Sequence, residues 1–256
     1  MKYLLSSLTD KGRRKNVNQD SVLLRSSNYS GEENILAVVC DGMGGFEKGE
    51  LASAEVIRLF SIWFDEIFPG FVNEDQIEEF EDKIYESWEL LLQTAHQMIH
   101  SYGEVNHLKI GTTVTAMLLS REQYFTAHIG DSRIYEINKQ ILQLTQDQTF
   151  LKIRAQNSRQ TEIKNRRMAG VLLQGLGASE IIRPVYKSGA VDRGTIYLLC
   201  SDGLGHKVTN EDLLKTFIPE VCDTYEILYG RGKKVIELAR ERGEQDDISI
   251  LTICTY

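Results

Sequence analysis

The apolar run Ile35-Leu36-Ala37-Val38-Val39-Cys40 leads directly into Asp41-Gly42-Met43-Gly44-Gly45. The apolar run has the length and composition of a buried β-strand, so the carboxylate of Asp41 is expected at a strand end. Glycine leaves backbone carbonyl groups open to close approach, and such groups can bind a cation beside the carboxylate. Taken alone, the motif is explained equally well by a tight turn that needs glycine for positive φ. The rest of the chain must decide between the two interpretations.

The composition favours a single domain over residues 1–256. Of the 256 residues, 42% are hydrophobic and 26% are charged, with three prolines. This composition suits one large domain of helices and strands better than two small ones. The formal net charge of -8 lacks the basic footprint of a protein that binds nucleic acid or an anionic membrane. We therefore expect neither of these partners, and we expect a monomer.

The N-terminal residues predict a cytoplasmic protein. Met1–Leu5 run into Ser6-Ser7 before the hydrophobic region of a signal peptide can develop. The longest apolar stretches of the chain are long enough for strands but not for a membrane-spanning helix. We therefore expect neither secretion nor membrane insertion.

Neither cysteine nor histidine points strongly to a metal site. The four cysteines are far apart and form no C-x-x-C pair, so they are predicted to be buried, reduced thiols. They are Cys40, Cys200, Cys222 and Cys254. His96 and His100 are spaced to share one helix face, but no third ligand motif accompanies them. A zinc site is therefore the weaker interpretation of this pair.

Two amphipathic helices are predicted after the first strands. Apolar residues over 52–67 recur at helical spacing, and this helix is expected to end near Pro69-Gly70. A second, longer helix is predicted to start near Asn73, with Gln76 placed to complete a capping box. Both apolar stripes are expected to face the core.

Strand-like segments follow from Gly111 onwards. Residues 112–119, 123–129, 133–137 and 140–144 are separated by gaps of turn length, which predicts an antiparallel meander. One of these gaps, 130–132, contains a further aspartate. The meander would therefore place another carboxylate at a strand end.

The C-terminal part alternates strands and helices. Residues 195–200 and 248–254 are predicted as buried strands. A short helix is predicted from Thr209, where Asp212 completes a capping box, and a last helix over 233–242. Both strands adjoin aspartates, so the pattern of the first strand is repeated.

The segment around 148–170 is polar, basic and weakly periodic. We interpret it as a mobile flap over a site, since irregular insertions commonly carry substrate contacts. An ordinary surface helix explains this segment about as well. The sequence alone leaves both alternatives open.

Five aspartates stand where a strand-like segment begins or ends. They are Asp20, Asp41, Asp131, Asp202 and Asp246. Because neighbouring strands align their ends along a common edge, these carboxylates are expected to gather in one cleft. Several carboxylates within a few Å repel one another unless cations neutralise them. The pattern therefore predicts a site for more than one metal ion.

The expected ligands are all oxygen atoms, which selects hard cations such as Mg²⁺ or Mn²⁺ over zinc or iron. Two such ions about 4 Å apart can share a water, lower its pKa and clamp a displacement at phosphorus. Four basic residues within Lys11–Lys15, close to Asp20, could receive a phosphate group. Taken alone, this cluster is better explained by a solvated loop. These features indicate a metal-dependent hydrolase of phosphate esters.

The chain resembles the metal-dependent Ser/Thr protein phosphatases of the protein phosphatase 2C (PPM) family, bacterial branch, nearly from end to end. The ordered motifs are Asn18-Gln19-Asp20, Asp41-Gly42-Met43-Gly44-Gly45, Gly111-Thr112-Thr113, Ile129-Gly130-Asp131-Ser132-Arg133, Thr145-Gln146-Asp147, Cys200-Ser201-Asp202-Gly203-Leu204 and Asp246-Asp247-Ile248-Ser249. Each motif is weak alone, but the ordered set is specific. The resemblance implies an α+β fold, a four-layer α/β/β/α sandwich of two mostly antiparallel sheets flanked by helix pairs.

The resemblance also implies a two-ion core site and its ligands. Asp41 would bridge two metal ions, and the carbonyl group of Gly42 would bind the second. Asp202 and Asp246 would complete the first, and Asp20 would act through metal-bound water. Asp20, Asp41, Asp202 and Asp246 are thus the expected catalytic residues.

A weaker third metal site is implied at Asp131 and Asp202. Met43 matches the bacterial branch; relatives with a histidine there would have a general acid, so here a metal-bound water would more readily protonate the leaving alkoxide.

Five positions depart from the family pattern: Lys15, Gln19, Gln148, Gln174 and Asp247. Lys15 stands where the family commonly has the arginine that clamps phosphate, and lysine cannot grip phosphate bidentately. Either Lys15 binds phosphate more loosely or the adjacent Arg14 substitutes for it. Gln19 replaces a common glutamate, which would weaken binding of the second ion. No core metal carboxylate is lost.

The function that the resemblance implies is hydrolysis of phosphoserine and phosphothreonine in proteins, opposing a Ser/Thr kinase. Mn²⁺ or Mg²⁺ would serve as cofactor, with two ions in the core site. Two alternatives stay open: a phosphatase-like binding module without catalysis, and a phosphatase of small phosphorylated metabolites. Retention of all the metal carboxylates counts against the first alternative.

Overall fold

The computed structural model describes residues 1–29, 31–43, 48–149 and 172–256. Gly44 and Gly45 lie outside the described residues, as does the predicted flap except for Gln148 and Thr149.

Ten strands are described. They are β1 (Tyr3–Asp10), β2 (Asp20–Tyr29), β3 (Glu32–Asp41), β4 (Val114–Ser120), β5 (Gln123–Ile129), β6 (Arg133–Ile137), β7 (Ile141–Gln143), β8 (Val185–Ala190), β9 (Ile196–Cys200) and β10 (Ile248–Thr255). The described α-helices are α1 (Gly49–Ile62), α2 (Ile77–Asn106), α3 (Asp202–Gly205), α4 (Asn210–Thr216) and α5 (Tyr225–Glu241). A π-helical turn (Trp63–Ile67) and a 3₁₀ turn (Phe68–Gly70) continue α1, and a second 3₁₀ turn is Pro219–Val221.

The strands form two five-stranded antiparallel sheets. The first has the order β1-β10-β9-β6-β7, and the second has the order β2-β3-β4-β5-β8. Apolar residues of both sheets pack together between them, α1 and α2 pack on the second sheet, and α5 packs on the first. The prediction of a four-layer α/β/β/α sandwich is confirmed.

β3 explains why a continuous apolar run is required at the centre. Its residues point alternately to opposite faces. Residues 35, 37 and 39 therefore join the core between the sheets, while residues 36, 38 and 40 face α1 and α2. From Ile35 to Cys40 every residue has 0% exposure. A polar residue in this run would lose its hydration on either face.

The predicted meander is wrong at one connection. β4 pairs with β5, and β6 pairs with β7, but β5 and β6 belong to different sheets. The turn 130–132 therefore crosses from one sheet to the other. Turn-length spacing alone cannot distinguish a hairpin from such a crossing, which depends on packing. The crossing brings Asp131 to the edge shared by both sheets.

Two helix starts also differ from the predictions. The long helix begins at Ile77 rather than near Asn73, and Gln76 makes no side-chain cap hydrogen bond. The last helix begins at Tyr225, capped by Thr224, eight residues before the predicted start. Two glycines, Gly230 and Gly232, interrupt the helical pattern there, which is why the sequence favoured the later start. The predicted capping box of Thr209 and Asp212 is confirmed.

The prediction of buried cysteines without disulfides is confirmed, and one nitrogen of His96 has a hydrogen-bond partner. All four cysteines are buried and unbonded to one another. Nδ1 of His96 accepts a hydrogen bond from the backbone N–H of Gly177 at 3.0 Å, which gives this nitrogen a structural role. Within the described parts of the chain, no helix combines the length and apolar character needed to span a membrane.

Candidate metal centre

Asp20 and Asp41 lie opposite each other at the ends of β2 and β3. The backbone of Asp41 is held from the neighbouring strand, because its N–H donates to Oγ1 of Thr113 at 3.0 Å. Its carbonyl oxygen accepts from Oγ1 of Thr112 at 2.9 Å and from the N–H of Thr113 at 2.9 Å. Thr112 and Thr113 therefore fix the strand end that carries Asp41.

Gly42 is required by close backbone approach. A Cβ atom there would lie 2.5 Å from the carbonyl oxygen of Gly49 and 2.6 Å from that of Gln19. The N–H of Gly42 donates to the same Gln19 oxygen at 3.0 Å. Any side chain would push apart the segment before β2 and the start of α1, so the glycine positions the backbone beside Asp41.

Ser201 connects the two sheets at the site. Its Oγ donates to Oδ2 of Asp20 at 2.8 Å and accepts from the N–H of Ser249 at 2.9 Å. Because Ser201 is the N-cap of α3, this bond brings Asp202, the first residue of that helix, close to Asp20. A Cβ atom on Gly203 would lie 2.1 Å from the carbonyl oxygen of Asp247, so close packing again selects glycine.

Asp131 follows a glycine in the turn that crosses between the sheets. Gly130 has φ of 117°, which disfavours any other residue. Its N–H donates to Oε1 of Gln148 at 2.8 Å. The same oxygen accepts from Nε2 of Gln174 at 2.7 Å. Two of the departures from the family pattern therefore contact each other, and together they support the Asp131 turn.

Asp246 precedes the last strand and is held by its backbone. Its N–H donates to Oε1 of Glu244 at 2.9 Å, and its carbonyl oxygen accepts from Nη1 of Arg240 at 2.6 Å. The next residue, Asp247, is 1% exposed, and its N–H donates to Oδ1 of Asp246 at 2.8 Å. These contacts leave Oδ2 of Asp246 for other partners.

Four of the five predicted acids line one cleft of about 790 Å³. They are Asp41, Asp131, Asp202 and Asp246. Asp20 does not line this cleft, but it is buried behind it and bonded to Ser201. The structure therefore brings all five predicted carboxylates to the same end of the sandwich.

The carboxylates disfavour one another's charges. Burial raises the pKa of Asp20 to about 7, against the hydrogen bond from Ser201, and the charges of Asp247 and Asp202 raise it further. Burial is the main cause that raises the pKa of Asp131 to about 7, and the charge of Asp202 is the second. Burial, Asp20 and Asp202 raise the pKa of Asp41 well above its usual value. Burial also raises the pKa of Asp202, with His206 opposing it. Such a cluster needs cations to remain ionised.

Two buried oxygen atoms at the site have no hydrogen-bond partner. They are Oδ1 of Asp20 and Oδ1 of Asp202. Buried oxygens without partners are costly, and an all-oxygen set of this kind fits a hard divalent cation. The described residues hold no ready-made group of three or more His, Cys, Asp or Glu side chains around one ion position. The individual ligand assignments therefore stay predictions.

The two candidate phosphate-binding cations differ in their surroundings. Lys15 forms ion pairs with Asp246 and with Oδ2 of Asp247, the latter at 3.0 Å. Arg14 is exposed and makes no hydrogen bond or ion pair with any described residue. Of these two cations, Lys15 has anionic partners among the described residues and Arg14 has none.

Sequence reasoning missed His206 and Glu244. Nε2 of His206 lies 3.4 Å from Oδ2 of Asp202, and its Nδ1 lies 3.4 Å from Oε2 of Glu244. The four-residue spacing from Asp202 to His206, across one helical turn, could have indicated the first contact. The contact with Glu244 depends on tertiary packing and has no such sequence pattern.

A cluster of buried carboxylates at the end of a two-sheet sandwich defines a class of metal-dependent hydrolases. Comparison with known proteins identifies the family. The family model described as Protein phosphatase 2C matches residues 9–238. A Streptococcus pyogenes relative, named as a putative protein phosphatase 2C-type, is 26% identical over 97% of this chain and 96% of its own length.

Solved structures agree with these matches. The S. agalactiae serine/threonine phosphatase superposes with a TM-score of 0.82 at 25% identity, covering 100% of both chains. PstP of Mycobacterium tuberculosis is 29% identical over 95% of this chain and 43% of its own length. The catalytic domain of PstP, solved in complex with two manganese ions, gives a TM-score of 0.75 at 26% identity and covers 98% of this chain and 97% of the domain.

This chain belongs to the protein phosphatase 2C family of Ser/Thr protein phosphatases. The family, the fold and the enzyme class predicted from the motifs are confirmed.

Proposed function

We propose that the chain hydrolyses phosphoserine and phosphothreonine residues in proteins, with Mn²⁺ or Mg²⁺ as cofactor. The observation that carries the proposal is the convergence of Asp41, Asp131, Asp202 and Asp246 on one cleft. Structural carboxylates are normally paired with cations or hydrogen-bonded. These four come from separate elements of both sheets and share an exit to solvent, as a binding site for ions and a phosphate ester requires.

The proposed ligands divide between the two sheets. The second sheet would contribute Asp41 and the carbonyl group of Gly42 as ligands. The first sheet would contribute Asp202 and Asp246. Asp131 with Asp202 would hold a weaker third ion, and Asp20 would orient water from behind. The ions, when bound, supply a water nucleophile at neutral pH and neutralise charge on the phosphate group.

Arg14 is the proposed phosphate-binding residue. Its guanidinium group can donate two parallel hydrogen bonds to a phosphate group, which the ammonium group of Lys15 cannot do. Arg14 is exposed on the segment that leads to Asp20. Lys15 is already occupied by Asp246 and Asp247.

A second cleft supports a protein substrate over a small ester. It measures about 600 Å³, and it shares Leu173, Gln174 and Ile181 with the acidic cleft. Arg183 and Lys187 also line it. A phosphopeptide could place its phosphorylated residue at the acids and its neighbouring residues along this cleft. A metabolite would leave this cleft unused.

The test is release of phosphate in the presence of Mn²⁺, with a phosphothreonine peptide and an aryl phosphate as parallel substrates. We expect turnover of both, with the peptide giving the higher kcat/KM. Folded protein without turnover at any Mn²⁺ concentration would contradict the proposal and favour the non-catalytic binding module. Efficient turnover of small esters alone would favour a metabolite phosphatase.

The remaining predictions accompany this proposal. They are a single catalytic domain over residues 1–256, a cognate Ser/Thr kinase that phosphorylates the same substrates, a monomeric state and a cytoplasmic location. The buried, reduced cysteines support the last of these.

A further inference from the structure

The ammonium group of Lys15 lies against two acids at the edge of the candidate metal centre. Its Nζ pairs with Oδ1 of Asp246 and lies 3.0 Å from Oδ2 of Asp247. The Lys15 side chain is 20% exposed, and that of Asp247 is 1% exposed. Two carboxylates face this ammonium group, so the lysine acts as a cation at this position.

Asp247 ties the loop that carries Lys15 to the segment that carries Asp246. Its Oδ1 accepts from the N–H of Gly12 at 2.7 Å, and its Oδ2 accepts from the N–H of Gln19 at 2.9 Å. The loop between Gly12 and Gln19 is thus closed over this carboxylate. A buried carboxylate with two N–H donors still carries a full negative charge, which the ammonium group of Lys15 neutralises.

The positive charge of Lys15 and the negative charge of Asp247 therefore form one ion pair. Both positions depart from the family pattern, and they contact each other directly. A negative charge at position 247 has a counter-ion because a lysine at position 15 reaches it. The same ammonium group also pairs with Asp246, a proposed metal ligand.

We propose that Lys15 is a positioning residue, an internal counter-ion of Asp246 and Asp247 that competes with a divalent cation for Asp246 and does not clamp phosphate. The proposal rests on the metal centre described under the proposed function. A cation bound at Asp246 must share this carboxylate with the ammonium group and is repelled by its charge. Lys15 therefore weakens metal binding at this position while it stabilises the metal-free protein.

The direct test is calorimetric titration with Mn²⁺ alone, with no substrate present. Lys15→Met should bind Mn²⁺ about tenfold more tightly than wild type, because a nearby positive charge is lost. Lys15→Arg, which keeps the charge, should stay within about twofold of wild type. Lys11→Met is the matched control, because it removes one cation from the same loop, where the ammonium group of Lys11 donates to the backbone oxygen of Asn16. It should also change affinity by less than about twofold.

Thermal unfolding in a chelator gives a second readout. Lys15→Met should lower Tm because it leaves the buried Asp247 without a counter-ion, and Asp247→Asn should lower Tm because it removes one of the two carboxylates that face Lys15. The double variant Lys15→Met/Asp247→Asn should lose less than the sum of the two single losses. Mn²⁺ should reduce the Tm loss of Lys15→Met, since a divalent cation then neutralises Asp246.

The outcomes separate this inference from the proposed function. Unchanged or weaker Mn²⁺ binding by Lys15→Met, or additive Tm losses in the double variant, would overturn the counter-ion role and leave the metal centre intact. Absence of Mn²⁺ binding by the wild-type protein would instead overturn the metal centre, and this inference with it.

Discussion

Asp147 and Asp20 are both buried carboxylates, but they differ in the hydrogen-bond partners that the protein gives to their oxygen atoms. Asp147, 5% exposed, receives Nε and Nη2 of Arg133 at 3.0 and 2.8 Å, and Nε2 of Gln143 at 2.8 Å. Asp20, 8% exposed, receives the hydroxyl group of Ser201 on one oxygen and has no hydrogen-bond partner on the other. The protein itself satisfies both oxygen atoms of Asp147 but leaves one oxygen atom of Asp20 without a hydrogen bond.

This contrast separates the support region from the metal centre. We call His128, Arg133 and Asp147 the support region, because these buried or half-buried groups lie behind the turn that carries Asp131. Both nitrogens of His128 are within hydrogen-bond distance of a partner, Oγ1 of Thr115 at 2.9 Å and the carbonyl oxygen of Gln146 at 3.1 Å. Substitution in the support region should lower stability, whereas substitution in the metal centre should lower activity.

The largest expected effect is on turnover in the metal centre. Asp202→Asn and Asp246→Asn should each reduce kcat by about a thousandfold or more, because an ion loses an anionic ligand. The Tm of Asp202→Asn in a chelator should fall little or rise, since one charge of a mutually repelling cluster is removed. The Tm of Asp246→Asn should fall, since Lys15 loses one of its two carboxylate partners. Phosphopeptide turnover and thermal unfolding are measured on the same preparations. Full activity in Asp246→Asn would show that the site is misplaced.

The opposite result is expected for Asp147→Asn. Breaking this nearly buried ion pair should cost about 3 kcal/mol of unfolding free energy, measured by urea denaturation. The metal carboxylates stay in place, so kcat at saturating Mn²⁺ should remain within about tenfold of wild type at a temperature where the variant is folded. A variant as stable as wild type but inactive would erase the distinction between the two regions.

Asp131→Asn should have an intermediate effect on activity. This acid lines the cleft but belongs to the proposed third site, so kcat should fall about tenfold while the two core ions still bind. Calorimetry should accordingly show the tight Mn²⁺ sites unchanged. Loss of a tight site would instead assign Asp131 to the core pair.

His128 gives the smallest effect and a pH dependence. Burial lowers its pKa to about 4, below the value of about 6.5 expected in the unfolded chain. The unfolded chain therefore binds the proton first, so this contribution to stability is complete above pH 6.5 and is lost as the pH falls towards 4. Between pH 7 and 5.5 the wild type should lose about 1 kcal/mol more than His128→Gln. If the unfolding free energies of the wild type and His128→Gln, measured by urea denaturation, changed equally with pH, the lowered pKa of His128 would be contradicted.

The sequence predicted the positions of the clustered aspartates better than their surroundings. Each acid was recognisable because it adjoins an apolar strand, and the strand bounds agree with the structure within two residues for β4, β5, β6 and β9. By contrast, the turn at Gly130 could not be recognised as a crossing between sheets, because a hairpin and a crossing have the same length. The strands β1 and β8 were not predicted, since their residues are mostly exposed or half-buried and alternate weakly.

Contacts between residues that are far apart in the sequence could not be predicted either. Lys15 and Asp247 are 232 positions apart, and each was judged singly as a departure from the family pattern. Nothing in the spacing of either residue indicates that their side chains meet. The same holds for Gln148 and Gln174. Tertiary packing decides such pairs, and packing is not encoded in local periodicity.

The most direct test of the central claim is a crystal structure determined after soaking in Mn²⁺, with the ions counted and their ligands assigned. We expect two ions at the end of the sandwich that share Asp41, with Asp202 and Asp246 completing the ligands of the first ion. Ions bound elsewhere, or no ion within ligand distance of these three carboxylates at saturating Mn²⁺, would contradict that claim.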